Sequence, residues 1–151
     1  MTDHLPRSVL WVDPGVTSGW FEYDLTLNQV WACQLTFHEL VITLDNVLVK
    51  ATDVIVGCER FIITQNSARR PGSVEAIKAW GAVSAAATRF AIMVDDSQTS
   101  SVMTACSDTD LKALGWHFRG MPHANDAARH VFIWLARHQA LSDVQRRRGV
   151  N

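Results

Sequence analysis

The chain has 151 residues, 48% hydrophobic and 19% charged, proportions that suit one domain with its own core and exclude a disordered polyelectrolyte. A formal net charge of −1 and an isoelectric point near 6.6 exclude the strongly basic surface common among nucleic-acid binders, unless bound cations invert the local charge. Three widely spaced cysteines, Cys33, Cys58 and Cys106, fit neither a disulfide framework nor a zinc pattern, so a reducing cytoplasm is the expected compartment.

Met1-Thr2-Asp3-His4 lacks the positive start and apolar core of a signal peptide. Ser8 to Val12 is apolar and β-prone, and Asp13-Pro14-Gly15 stops it, which places Asp13 at the end of a first strand. Gly19 to Tyr23 and Gln29 to Leu35 read as two more strands of an antiparallel meander. Thr36 and Glu39 have capping-box spacing ahead of a helix over Phe37 to Val49. Asp53 to Cys58 has the continuous apolar character of a strand buried on both faces, with Glu59 at its C-terminal end.

Thr64 to Gly72 reads as a polar loop, followed by an Ala-rich helix, Ser73 to Arg89, with Ser73 as its expected N-cap. Ser84, Thr88 and Arg89 interrupt the longest apolar segment, Ala79 to Val94, so no membrane span is expected. Phe90 to Val94 reads as a strand, Ser107 to Leu114 as a helix ended by Gly115, and His123 to Gln139 as a last helix behind Pro122. Trp11, Trp31, Trp80 and Trp134 lie in apolar runs and are expected in the core. The order β-β-β-α-β-α-β-α-α predicts an α/β mixed sheet over a single domain, 1–151.

Metal-capable residues fall at the ends of these elements, where α/β proteins place their chemistry. Asp13 ends the first strand and Glu59 the fourth, while His123 and Asp126, three apart, share one face of the last helix. Taken singly, each has a plain structural role: a turn residue, a strand-end ion pair with Arg60, a helix start, a favourable first-turn charge. Together they suit phosphodiester hydrolysis with two divalent ions, Mg²⁺ or Mn²⁺, in which carboxylates hold the hard cations and His123 ligates or moves a proton. His130, on the same helix face, is expected to pack or to support the site from behind.

Val12-Asp13-Pro14-Gly15 followed by Thr17-Ser18-Gly19-Trp20 resembles the opening of RuvC-type Holliday-junction resolvases, of the RNase H-like superfamily. Val54-Ile55-Val56-Gly57-Cys58-Glu59-Arg60-Phe61 is similar to their second motif, Ala79-Trp80-Gly81-Ala82-Val83 to the small-residue helix after it, and His123-Ala124-Asn125-Asp126-Ala127-Ala128 to the closing motif. The resemblance runs from Val9 to Arg137 in family order. One departure is the stretch Ser97 to Gly120, which holds a single lysine, Lys112, where the family has a Lys-containing, Gly-rich segment.

The resemblance implies an RNase H-like five-stranded sheet, three antiparallel strands and then parallel ones, flanked by helices. It also implies a metal-dependent endonuclease that cuts branched DNA in a bacterial cytoplasm or an infected host cell, with catalytic and metal-binding Asp13, Glu59, His123 and Asp126. Arg60, Arg69, Arg70, Lys78 and Lys112 are candidate phosphate contacts, and Arg146-Arg147-Arg148 a further basic patch. Phe61 or Trp20 is a candidate wedge at the strand exchange point, against core burial of both. RNA, flap or fork cleavage, and non-catalytic nucleic-acid binding on the same fold, remain open alternatives. Opposed cuts in a four-way junction imply a homodimer, with Ser73 to Arg89 as the expected interface.

Overall fold

The computed structural model describes residues 5–61, 64–66 and 69–150. Residues 1–4 and positions 67–68 of the expected polar loop lie outside them. Five strands, β1 (Ser8–Asp13), β2 (Ser18–Asp24), β3 (Gln29–Leu35), β4 (Val54–Cys58) and β5 (Val94–Asp95), form one sheet in the order β3-β2-β1-β4-β5. The first three pair antiparallel; β4 lies parallel to β1, and β5 parallel to β4. This is the expected mixed sheet of the RNase H-like fold.

The period of two along each strand separates two hydrophobic layers. On one face Leu10, Val12, Trp20, Val56 and Cys58 pack under α1 (Phe37–Leu48) and α2 (Ser73–Arg89), which contribute Leu40, Leu44, Leu48, Ala79, Val83 and Ala86. On the other face Val9, Trp11, Phe21 and Tyr23 pack under α5 (Pro122–Arg137), through Ala127, Ala128, Val131, Trp134 and Leu135. The short helices α3 (Val102–Ala105), α4 (Asp108–Leu114) and α6 (Leu141–Arg147) close that second layer, adding Leu111, Leu114 and Val144.

Local signals decide most boundaries. The Thr36–Glu39 capping box starts α1, with the Thr36 N–H donating to Glu39 Oε2 at 2.8 Å. Gly115, at φ 70°, ends α4.

Other expectations are corrected. Gly72, not Ser73, caps α2; it takes φ 87°, and Ser73 Oγ instead donates to the Arg70 carbonyl at 2.9 Å. The strand expected over Phe90 to Val94 shrinks to Val94–Asp95, because Ala91 adopts φ 56° and the Ile92 N–H donates to the Ala87 carbonyl at 2.8 Å. That Schellman closure uses up the residues that would have paired. Trp31 is 47% exposed on edge strand β3, lining an open groove with Leu27 and with Val47 of α1 instead of lying in the core. No helix among the described residues is long and apolar enough to cross a membrane.

Candidate metal centre

The parallel register Val12↔Cys58 brings the ends of β1 and β4 side by side, so Asp13 and Glu59 leave the sheet at neighbouring points. Strand alternation turns both toward α5, since Val9 and Trp11, four and two residues before Asp13, pack on that layer. The start of α5 descends onto the sheet over Gly19, where a Cβ would stand 1.9 Å from the His123 carbonyl oxygen. Met121 supplies no side-chain cap to α5; Gln34 of β3 does this work, its Oε1 accepting from the His123 N–H at 2.9 Å.

The consequence is a compact cluster. His123 Nδ1 lies 3.1 Å from Asp13 Oδ2, and one ligand atom from each of Asp13, His123 and Asp126 falls within 4.8 Å of the other two. The hydrogen bond to Asp13 raises the His123 pKa against the opposing effect of burial, and the negative charges of Asp13 and Asp126 raise it further. Burial raises the Asp126 pKa, as does the charge of Asp13, while Arg129, His123 and His130 act against the rise. Carboxylates that crowd each other in a half-buried site favour a cation between them. Two carboxylates and an imidazole fit Mg²⁺ or Mn²⁺ in donor chemistry.

Arg129 supports Asp126 from behind. Its guanidinium pairs with Asp126 and with Asp108, and its Nε donates to the Cys106 carbonyl at 3.1 Å. Asp108 also faces His117 Nε2 at 3.4 Å. Sequence reasoning missed this chain of groups, although Arg129 follows Asp126 at ion-pair spacing. It also missed Gln34, for which no sequence signal exists.

Glu59 stands outside the three-residue cluster. Its Oε2 is 3.7 Å from Nε2 of His130, a fully buried residue, while Glu59 itself keeps 24% of its side chain exposed. His130 stacks on Trp11 with ring centroids 5.1 Å apart and planes within 2°. Gly57 makes the stack possible, because a Cβ there would fall 2.0 Å from the Trp11 ring. The plain structural alternative for Glu59, an ion pair with Arg60, is not formed; Arg60 reaches Asp96 at 3.9 Å. Burial pushes the neighbouring Cys58 thiol well above its ordinary pKa, with the charges of Asp13 and Glu59 adding to the effect, so it remains a neutral packing group.

The expected phosphate contacts lie on separate parts of the chain: Arg60 after β4, Arg69 and Arg70 before α2, Lys78 on α2 and Lys112 on α4. Arg69, Arg70, Lys78 and Lys112 are exposed, as is Arg60. Arg70 and the half-buried Phe61 line a cavity of about 400 Å³ together with His123 and Gly15. On the other side, Arg119 and His117 line a cavity of about 330 Å³ with Asp126 and Arg129. Trp20 is 3% exposed, which removes it as a wedge. The C-terminal arginines do not form a free patch: Arg146 pairs with Asp143, Arg147 donates to the Leu25 carbonyl at 2.6 Å, and Arg148 donates to the carbonyls of Asn28 and Leu114.

A mixed sheet of this order, with acidic groups at the ends of β1 and β4 and at the start of α5, defines an RNase H-like fold of the RuvC type. Among solved structures the chain is similar to Thermus thermophilus RuvC in complex with a Holliday junction substrate. The two are 19% identical with a TM-score of 0.59, over 87% of this chain and 96% of that one. A second structure of Thermus thermophilus RuvC is 17% identical with a TM-score of 0.55, over 88% of this chain and 97% of that one. No protein-family model matches the chain, and no curated protein matches it in sequence.

Proposed function

We propose that this chain is a divalent-metal-dependent endonuclease that hydrolyses phosphodiester bonds in branched DNA, four-way junctions foremost. The observation that carries the reading is the meeting of Asp13, His123 and Asp126 within 4.8 Å, with Glu59 one strand away, on a RuvC-type fold. Nothing in the core requires three acidic side chains at the ends of separate elements, whereas two-ion hydrolysis does.

In this reading Asp13, Glu59 and Asp126 hold two Mg²⁺ or Mn²⁺ ions with His123 completing the set. When bound, such ions supply a nucleophilic water at neutral pH and neutralise charge on the leaving oxygen. Asp13 accepts the hydrogen bond that orients the His123 ring, and Gln34 fixes the backbone that carries it. Arg129 holds the Asp126 carboxylate in place. Arg60, Arg69, Arg70, Lys78 and Lys112 contact backbone phosphates, Arg70 doing so beside Phe61 at the mouth of the site.

The working unit in this reading is a homodimer joined through α2. Its inner face is packed on the sheet, yet its outer face carries Val74, Gly81 and Ala85 exposed, and Gly81 has no atom within 4 Å of where a Cβ would stand. A two-fold pair would present one site to each of two opposed strands. The test is strand-cleavage mapping with Mg²⁺ and with Mn²⁺ on a mobile four-way junction, alongside forks, flaps and RNA hybrids. Paired symmetric cuts in the junction are the expected result. Preferential cutting of RNA or flaps would move the substrate, and binding without cleavage in either metal would overturn the nuclease reading.

A further inference from the structure

The buried pair of His130 and Gln98 lies outside the three-residue cluster, and the stack on Trp11 accounts for the face of the His130 ring but not for its two nitrogens. Gln98 is 1% exposed, and its Nε2 donates to the His130 carbonyl at 3.1 Å. A carbonyl only accepts, so this bond fixes the amide orientation and leaves Gln98 Oε1 facing His130 Nδ1 at 3.2 Å. Nδ1 must therefore carry a hydrogen, and in the uncharged ring Nε2 is a lone pair.

That lone pair faces a carboxylate. Nε2 is buried without a hydrogen-bond partner among the described residues, and the nearest charged group is Glu59 Oε2 at 3.7 Å. Two acceptors aimed at one space repel unless a cation stands between them. The separation exceeds a hydrogen bond, but two donor atoms each about 2.1 Å from a common ion stand roughly 3 to 4 Å apart. The ring cannot turn away, because Trp11 stacks on its face and Gln98 holds its other nitrogen.

We propose that His130 Nε2 is a metal ligand which, with Glu59, forms a mixed nitrogen and oxygen half-site beside the Asp13–His123–Asp126 cluster. This rests on the reading of that cluster as a metal centre. With Gln98 fixing the ligating ring from behind, the half-site selects divalent ions that accept nitrogen, Mn²⁺ and its transition-metal neighbours ahead of Mg²⁺.

The experiment is pulsed EPR of Mn²⁺ bound to the full chain carrying His123→Asp, which removes the other imidazole of the centre and keeps a ligand there. An imidazole-nitrogen coupling should persist in this variant and vanish when His130→Gln is added, with Mn²⁺ affinity falling about tenfold. Mn²⁺ bound by His123→Asp without nitrogen coupling overturns the proposal and leaves the metal centre standing; an imidazolium paired with Glu59 gives this result. Coupling that survives in the double variant comes from elsewhere and also overturns it. Should His123→Asp not bind Mn²⁺, the parent chain decides: two coupled imidazole nitrogens support the half-site and one refutes it. No Mn²⁺ binding by the parent chain ends both this proposal and the reading on which it rests.

Discussion

A Cβ on Gly19 would stand 1.9 Å from the carbonyl oxygen of His123 and 2.7 Å from the Ala124 nitrogen. The obstacle is backbone, so it cannot rotate away, and Gly19→Ala must lift the start of α5 from β2. We expect a loss of about 1 to 3 kcal/mol or more in a denaturant melt. Mn²⁺ binding should weaken at the same time, because His123 and Asp126 ride on the displaced turn. A variant with unchanged stability and unchanged Mn²⁺ affinity would show that the close approach is dispensable.

Asp13→Asn and Glu59→Gln remove charge while keeping shape. Both should reduce junction cleavage at least a hundredfold with the circular dichroism spectrum unchanged, since neither side chain carries the core. Asp13→Asn should also lower the His123 pKa, which ¹H–¹⁵N NMR of the imidazole reads independently of activity. Cleavage near the parent level in either variant would remove the two-ion mechanism.

His123→Ala should lose most activity, and His123→Asp should retain a substantial part, because a carboxylate serves a hard cation as well as an imidazole does. Single-turnover cleavage across a Mg²⁺ series separates the two. If both variants match the parent, His123 is only the start of a helix.

The metal-free protein should become less stable as pH rises. His123 has a folded pKa raised chiefly by its bond to Asp13, so its contribution is full below the unfolded value of about 6.5 and is lost as pH climbs through the raised folded value. Asp126, raised by burial, acts in the same direction, its part starting to be lost above the ordinary carboxylate range of about 3.9. Thermal melts in EDTA from pH 5 to 8 should therefore fall, and His123→Ala should flatten the slope above pH 6.5. A rising profile would contradict the His123–Asp13 bond.

If α2 joins two copies, Gly81→Arg should convert a dimer to a monomer in light scattering at micromolar concentration. Its melting temperature should change little, because the position opens on empty space within one chain. A parent chain that is monomeric with and without junction DNA, yet makes paired cuts, would refute the interface.

The sequence by itself determined the order of the five strands and of α1, α2, α4 and α5, because that order rests on local signals: the Asp13-Pro14-Gly15 stop, the Thr36–Glu39 box, the apolar run before Glu59 and Pro122 ahead of α5; the short helices α3 and α6 were not read from it. It also marked Asp13, Glu59, His123 and Asp126, since each falls at an element end where periodicity breaks. What it could not give was which of these share one space. Only the tertiary structure gathers Asp13, His123 and Asp126 into a cluster and sets Glu59 apart against His130, because those distances depend on how closely α5 approaches the sheet. That approach is fixed by the absent side chains at Gly19 (against His123) and Gly57 (against Trp11, which stacks on His130) and by the Gln34 cap on His123, contacts made across 104, 46 and 89 positions of the chain that no local pattern records. Burial, too, was decided in three dimensions: the same apolar character that puts Trp11 under α5 leaves Trp31 47% exposed on an edge strand, in an open groove beside α1.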